Sequence, residues 1–129
     1  DVVVVVGPGG SREALQVAPI YAEAGVPVLI PTATSRLLDA AGAHLFRLAA
    51  DDSVQGEFIA TFADSVLQAR SIAVYHVPDE YGIGLAAGTV ANARARGLEL
   101  RERTPVRLLQ ACADDDGRRY YVNLTRGLE

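Results

Sequence analysis

The chain has 129 residues, half of them apolar, and carries 12 basic residues, all arginine, against 16 acids for a net charge of −4. That length allows one ordinary domain with a real core, and the arginines are too scattered to form a nucleic-acid patch. Cys112 is the single cysteine, which excludes an intrachain disulfide or a CxxC pair, and no apolar run approaches the length of a membrane span.

The chain opens on Asp1-Val2 in place of Met, as an excised piece would, so the lack of a leader carries no weight for location. Five valines, Val2 to Val6, predict a strand buried on both faces, the mark of a parallel sheet covered by helices. Gly7, Gly9 and Gly10 allow a sharp reversal, and Ser11 is a good N-cap for the helix that follows. Ala14, Val17, Ala18 and Tyr21 share one face of that helix, Pro19 should kink it or end its first half, and Gly25 closes it. Residues 26–30 read as a second strand, 31–35 as a loop of small hydroxyl residues, and 36–41 as a short helix. Residues 44–48 form a weaker third strand. Asp51, Asp52 and Ser53 then cap a long helix whose stripe of Phe58, Ile59, Phe62, Ala63, Val66 and Leu67 is expected to be core. Residues 71–77 are a fourth strand ending in the turn 78–82. Ile83, Ala86, Ala87, Val90 and Ala93 mark another helix, and 98–103 alternates as an edge strand does. Further on, the pattern suggests a helical turn at 108–113, a polar turn at 114–117 and a last strand at 120–124.

This alternation predicts an α/β fold with a mostly parallel sheet and helices on both faces. Ligands of such sheets sit at the carboxyl ends of the strands, where the loops 7–11, 31–35 and 78–82 lie. The first loop admits a nucleotide-turn reading, a phosphate cradle in an α/β enzyme or regulatory domain. Against it, Arg12 stands where GxGxxG needs its third glycine, and no acid ends the second strand to hold a ribose. The second loop offers Thr32, Thr34 and Ser35 hydroxyls with backbone groups around Ala33. Together with Gly10 and Ser11 these could grip a carboxylate and a neighbouring ammonium; the plainer alternative is a hydroxyl-rich helix cap. Other chemistry is weaker. His76 near Asp79 and Glu80 lacks a metal-ligand spacing, Ser11 has no histidine close in sequence, and GxSxG is absent. No cofactor or metal is implied.

The runs Gly7-Pro8, Ser11, Ala18-Pro19-Ile20-Tyr21, Glu23-Ala24-Gly25-Val26-Pro27-Val28 and Pro31-Thr32-Ala33-Thr34-Ser35 carry a resemblance. It continues through Phe46-Arg47, Asp51-Asp52-Ser53-Val54-Gln55-Gly56, Ile72-Ala73-Val74 and Tyr81-Gly82-Ile83-Gly84-Leu85. Over about residues 1–100 the chain resembles the periplasmic solute-binding proteins for branched-chain amino acids, the leucine/isoleucine/valine receptors of ABC transporters. The resemblance implies part of a type I periplasmic-binding-protein fold, two lobes closing on a ligand by a hinge. It assigns the turn Gly10-Ser11 to the ligand's carboxylate, the loop Ala33-Thr34 to its carboxylate and ammonium, and Tyr81 to a contact from the second lobe. It places residues 1–69 in the first lobe and 70–129 at the start of the second, which could also fold together as one unit. A periplasmic or extracellular location follows, with the parent protein secreted or lipid-anchored and serving an ABC permease. The departures are a missing strand–helix–strand unit ahead of Asp1, a missing remainder of the second lobe, and a poor match beyond residue 104. Cut sheets leave open edges, so a homodimer through them is expected.

Overall fold

In the computed structural model, residues 1–105 and the backbone of 112–113 and 119–120 are described. Strands and helices alternate in chain order as the sequence predicts: β1 (Val5–Val6), α1 (Ser11–Glu23), β2 (Val28–Ile30), a 3-10 turn (Arg36–Ala40) and β3 (Leu45–Arg47). Then come α2 (Asp52–Thr61), a π-helical turn (Phe62–Val66), β4 (Ser71–His76), α3 (Glu80–Ala95) and β5 (Glu99–Pro105). Two parallel sheets result, β1–β2–β3 and β4–β5. A short antiparallel pair, β6 (Cys112–Ala113) with β7 (Arg119–Tyr120), places Cys112 and Ala113 in a strand where a helical turn was predicted. The polar turn at 114–117 and residues 121–124 of the expected last strand lie outside the described residues.

Each sheet has its own core. Ala14 of α1, Val28 and Ile30 of β2, Ala33 and Leu38 pack together, with Val5, Leu15, Tyr21 and Leu45 around them. Ala60 of α2, Ala93 of α3 and Leu98 form the second core, joined by Ala63, Ala69 and Ile72. Helix α2 therefore shares its core with α3 and β4, although it stands on the N-terminal side of the expected 69/70 boundary.

Three sequence expectations change here for physical reasons. The valine run is not buried on both faces: only Val5 and Val6 pair with β2, and Val3 stays 79% exposed because no described layer covers it. Pro19 does not end the first half of α1, which continues to Glu23 with the exposed proline inside it. The large stripe of α2 is not core either, with Phe58 71% and Leu67 64% exposed. The helix instead turns Asp52, Gly56 and Ala60 inward. A Cβ on Gly56 would stand 2.5 Å from the Thr89 nitrogen and 2.6 Å from the Gly88 carbonyl carbon, so the small-residue face is what lets α2 lie against the backbone of α3.

The Asp51 cap is as predicted. Its Oδ1 accepts from the Ser53 and Val54 amides at 2.7 and 3.1 Å, and these bonds, that from Val54 foremost, hold its carboxyl below the usual range. Asp51→Ala is expected to cost about 1 kcal/mol at neutral pH. Because the folded-state pKa is depressed, that contribution is present above the unfolded-state value and is lost as pH falls through the folded one. Urea titrations of both proteins at neutral and acid pH check this: the gap should close in acid, and a constant gap would rule the charged cap out.

Candidate functional site

The chain leaves β1 through Gly7, whose φ of +118° is a conformation that glycine alone adopts without strain. The following turn brings Gly9 and Gly10 to the start of α1. The N-cap is Gly10, not Ser11, and it makes no side-chain cap bond. Ser11 is the first helical residue and is buried, and its Oγ accepts from the amides of Thr34 at 3.3 Å and Ser35 at 3.2 Å. One hydroxyl therefore fixes the second loop against the first turn. Thr32 ties the same loops from outside, donating its hydroxyl to the Gly9 carbonyl at 2.7 Å. Behind the loop, half-buried Arg47 donates to the Ser35 carbonyl at 3.0 Å and pairs with Asp39 at 2.7 Å.

From the other side comes the N-terminus of α3. Asp79 caps it, its Oδ1 accepting from the Gly82 amide at 2.8 Å, and Tyr81 follows on the first turn, 41% exposed. Arg12 at the head of α1 reaches across to Glu80 at 3.4 Å, a surface pair of modest strength. Between these elements lies a cavity of about 330 Å³ lined by Gly9, Gly10, Ser11, Arg12, Glu13, Thr32, Ala33, Asp79 and Tyr81.

Five of the six residues named from sequence meet there: Gly10, Ser11, Thr32, Ala33 and Tyr81. Thr34 does not line the cavity. It is buried behind the loop, and its Oγ1 has no hydrogen-bond partner. Sequence reasoning missed Glu13 and Asp79 as lining groups. Glu13 folds its carboxylate back over Gly10, where an added Cβ would collide with it, so the head of α1 already faces an anion. Its signal was its position in the first turn of the helix, where an acid is favoured. Asp79 was readable only as a turn residue.

Other candidates separate from this place. His76 turns its Nδ1 to the Val77 carbonyl at 2.9 Å and lines a different, apolar cavity of about 450 Å³ against β4. Among the described residues no group of three or more His, Cys, Asp or Glu could hold a metal ion, and no helix is long and apolar enough to cross a membrane.

Residues 1–120 match the family model described as the receptor family ligand binding region. The chain belongs to that family. An amino acid binding protein of Pseudomonas aeruginosa is 32% identical over 98 residues, covering 75% of this chain and 26% of the relative. An ABC transporter substrate-binding protein of Desulfitobacterium hafniense, solved in complex with Leu, superposes with a TM-score of 0.71 at 30% identity, over 79% of this chain and 30% of that one. A leucine binding protein of Thermotoga maritima gives a TM-score of 0.74 at 25% identity, over 80% of this chain and 30% of that one. The chain thus spans between a quarter and a third of the length of these relatives. The branched-chain receptor resemblance and the type I periplasmic-binding-protein fold both stand.

Proposed function

We propose that this chain is the ligand-binding part of an extracytoplasmic receptor for amino acids or related small carboxylates, whose parent protein delivers its ligand to an ABC permease. The observation that carries this reading is the cavity that joins Ser11 and Ala33 to Tyr81. Ser11 already accepts two amide bonds, so its hydroxyl proton is the group free to donate to a ligand carboxylate. Backbone groups near Gly10 and Ala33 add short-range polar contacts, because their small side chains let a ligand approach the main chain. Glu13 and Asp79 supply the negative charge an ammonium needs, and Tyr81 offers a ring with a polar tip at the mouth. A zwitterion matches this mixed lining. The cavity lies at the small end of the roughly 300–1,000 Å³ usual for small-molecule sites.

A binding role is the reading that the amino acid binding and substrate-binding relatives support. A phosphate reading of the first turn fares worse than it does in the sequence. The lining sets Glu13 and Asp79 against Arg12 alone, and Arg12 is paired with Glu80, so a phosphate lacks the cation that a zwitterion carries in its own ammonium. The periplasmic or extracellular location and the permease partner come from the transporter relatives. Self-association through the exposed β1 valines is compatible with the same reading.

Thermal unfolding with leucine, a small carboxylate and ATP separates the two readings. A ligand bound only by the folded chain adds roughly 2.7 kcal/mol at about 100 times its Kd. Leucine is expected to raise the midpoint and ATP to leave it unchanged. A rise with ATP alone would overturn the receptor reading.

A further inference from the structure

Asp52 is the most deeply buried ionisable side chain the structure describes, 1% exposed, and neither carboxyl oxygen has a hydrogen-bond partner. A buried carboxylate left unpaired is among the costliest groups a fold can carry, so its surroundings show what it is for. On one side is the second loop of the candidate cleft. The Asp52 amide donates to the Thr34 carbonyl at 3.0 Å, and the hydroxyl beside the carboxyl is that of Thr34, itself buried and without a partner. On the other side is α3. A Cβ on Gly84 would stand 2.5 Å from Asp52 Oδ2, and one on Gly88 would stand 2.9 Å from the Asp52 carbonyl oxygen, so the residue is seated on a glycine face of that helix. One turn before Gly84 the same helix carries Tyr81. Asp52 is thus wedged between the loop whose amides bind Ser11 and the helix that presents the aromatic wall.

We propose that Asp52 is a positioning residue for the cleft, its buried carboxyl spacing the 32–35 loop from the first turns of α3, so that a change in its charge shifts both walls together. Charged groups of both signs stand around it. Asp51 precedes it, and Arg47 of β3, the nearest cation, is already shared with Asp39 and Asp51. Arg36 and Glu80 line the cavity that Asp52 borders on its outer side, and Glu80 is paired with Arg12. Burial raises the Asp52 pKa above the usual carboxylate value; Thr34 and Arg47 pull it down and Asp51 adds to the rise. A protonated carboxyl and the Thr34 hydroxyl, both otherwise orphaned, can satisfy one another with a small side-chain rotation. The ionised form has the Thr34 hydroxyl beside it on one side and, at Gly84, no side chain to pair with on the other.

The proposal rests on the amino-acid reading only for what the walls enclose, and its test needs no ligand. In the ligand-free chain, nuclear magnetic resonance follows the Asp52 side-chain carboxyl carbon and the amides of Ser35 and Tyr81 from about pH 4 to pH 8. The carboxyl is expected to titrate above the ordinary range, with both amides shifting at the same midpoint. Asp52→Asn should abolish the amide titration and hold both signals at their low-pH positions. Thr34→Val, which keeps the shape but removes the hydroxyl, should move the Asp52 midpoint further up. Titration of Asp52 in the ordinary range, or amides that ignore it, would overturn the proposal, as would an Asn variant whose amides still titrate. Leucine affinity measured on the same samples should fall through that midpoint in the native chain and stay flat in Asp52→Asn. The apo coupling without any leucine binding would support the role of Asp52 and overturn the amino-acid reading instead.

Discussion

Ser11→Ala is expected to abolish stabilisation by leucine and also to weaken the ligand-free chain. The substitution removes the acceptor of two buried amides, Thr34 at 3.3 Å and Ser35 at 3.2 Å. Each buried donor left unpaired costs about 1–3 kcal/mol. The loop then loses its register on α1, and with it the alignment of Ala33 with Gly10. Ser11→Thr keeps the oxygen and should keep most of the loop order, measured as amide protection of Thr34 and Ser35 by hydrogen exchange. Thr32→Ala provides the contrast. It deletes an exposed bond to the Gly9 carbonyl and should cost well under half as much. If Ser11→Ala left the two amides protected, the hydroxyl would not be the tie that the geometry makes it.

Gly56→Ala should destabilise the chain, against the usual sense of a glycine-to-alanine change within a helix. Helix propensity alone favours alanine by about 1 kcal/mol. At this position the added carbon would stand 2.5 Å from the Thr89 nitrogen and 2.6 Å from the Gly88 carbonyl carbon, and backbone atoms cannot rotate away. Overpacking of that kind costs about 1–3 kcal/mol, so the steric term wins. Gly56→Val, with two more carbons, should be worse still and should separate α2 from α3. Denaturant titration reads both. A stabilised Gly56→Ala would mean that the two helices are not in backbone contact. The effect should reach the cleft as well, because α2 begins at Asp52, bonded to the Thr34 carbonyl, and α3 begins beside Tyr81.

Much of this molecule is legible from local sequence signals. Turn chemistry located the loops, and it did so because glycine at Gly7 and hydroxyls at Thr32 and Ser35 have few other uses at strand ends. The Asp51 cap and the 36–40 turn were readable for the same reason: their hydrogen bonds close within three residues. What escaped depends on tertiary proximity. Hydrophobic period named Phe58, Phe62 and Leu67 as core together with Ala63, but the partner helix selected for smallness: Gly56 and Ala60 face inward, and of the named stripe Ala63 joins the core. No periodicity rule ranks a glycine above a phenylalanine. Ser11 was read as a cap because caps act locally, whereas its actual partners lie more than twenty residues away. The same distance hid the burial of Asp52, which sits in a pair of acids that looks like an ordinary solvated helix start. Thr34 illustrates the limit most sharply. Its place in the loop was right, but a one-residue alternation decides whether a hydroxyl faces the cleft or the interior.

The central claim is that the cavity between the head of α1, the second loop and the head of α3 takes an amino-acid zwitterion. Chemical-shift mapping of the isotope-labelled chain during a leucine titration tests it most directly. The account predicts saturable shifts concentrated at the amides of Gly10, Ser11, Ala33 and Tyr81, with a smaller response at Asp52 and Gly84 and none along β5. Saturable shifts centred on the apolar cavity against β4, with the Gly10 and Ala33 amides unmoved, would contradict it.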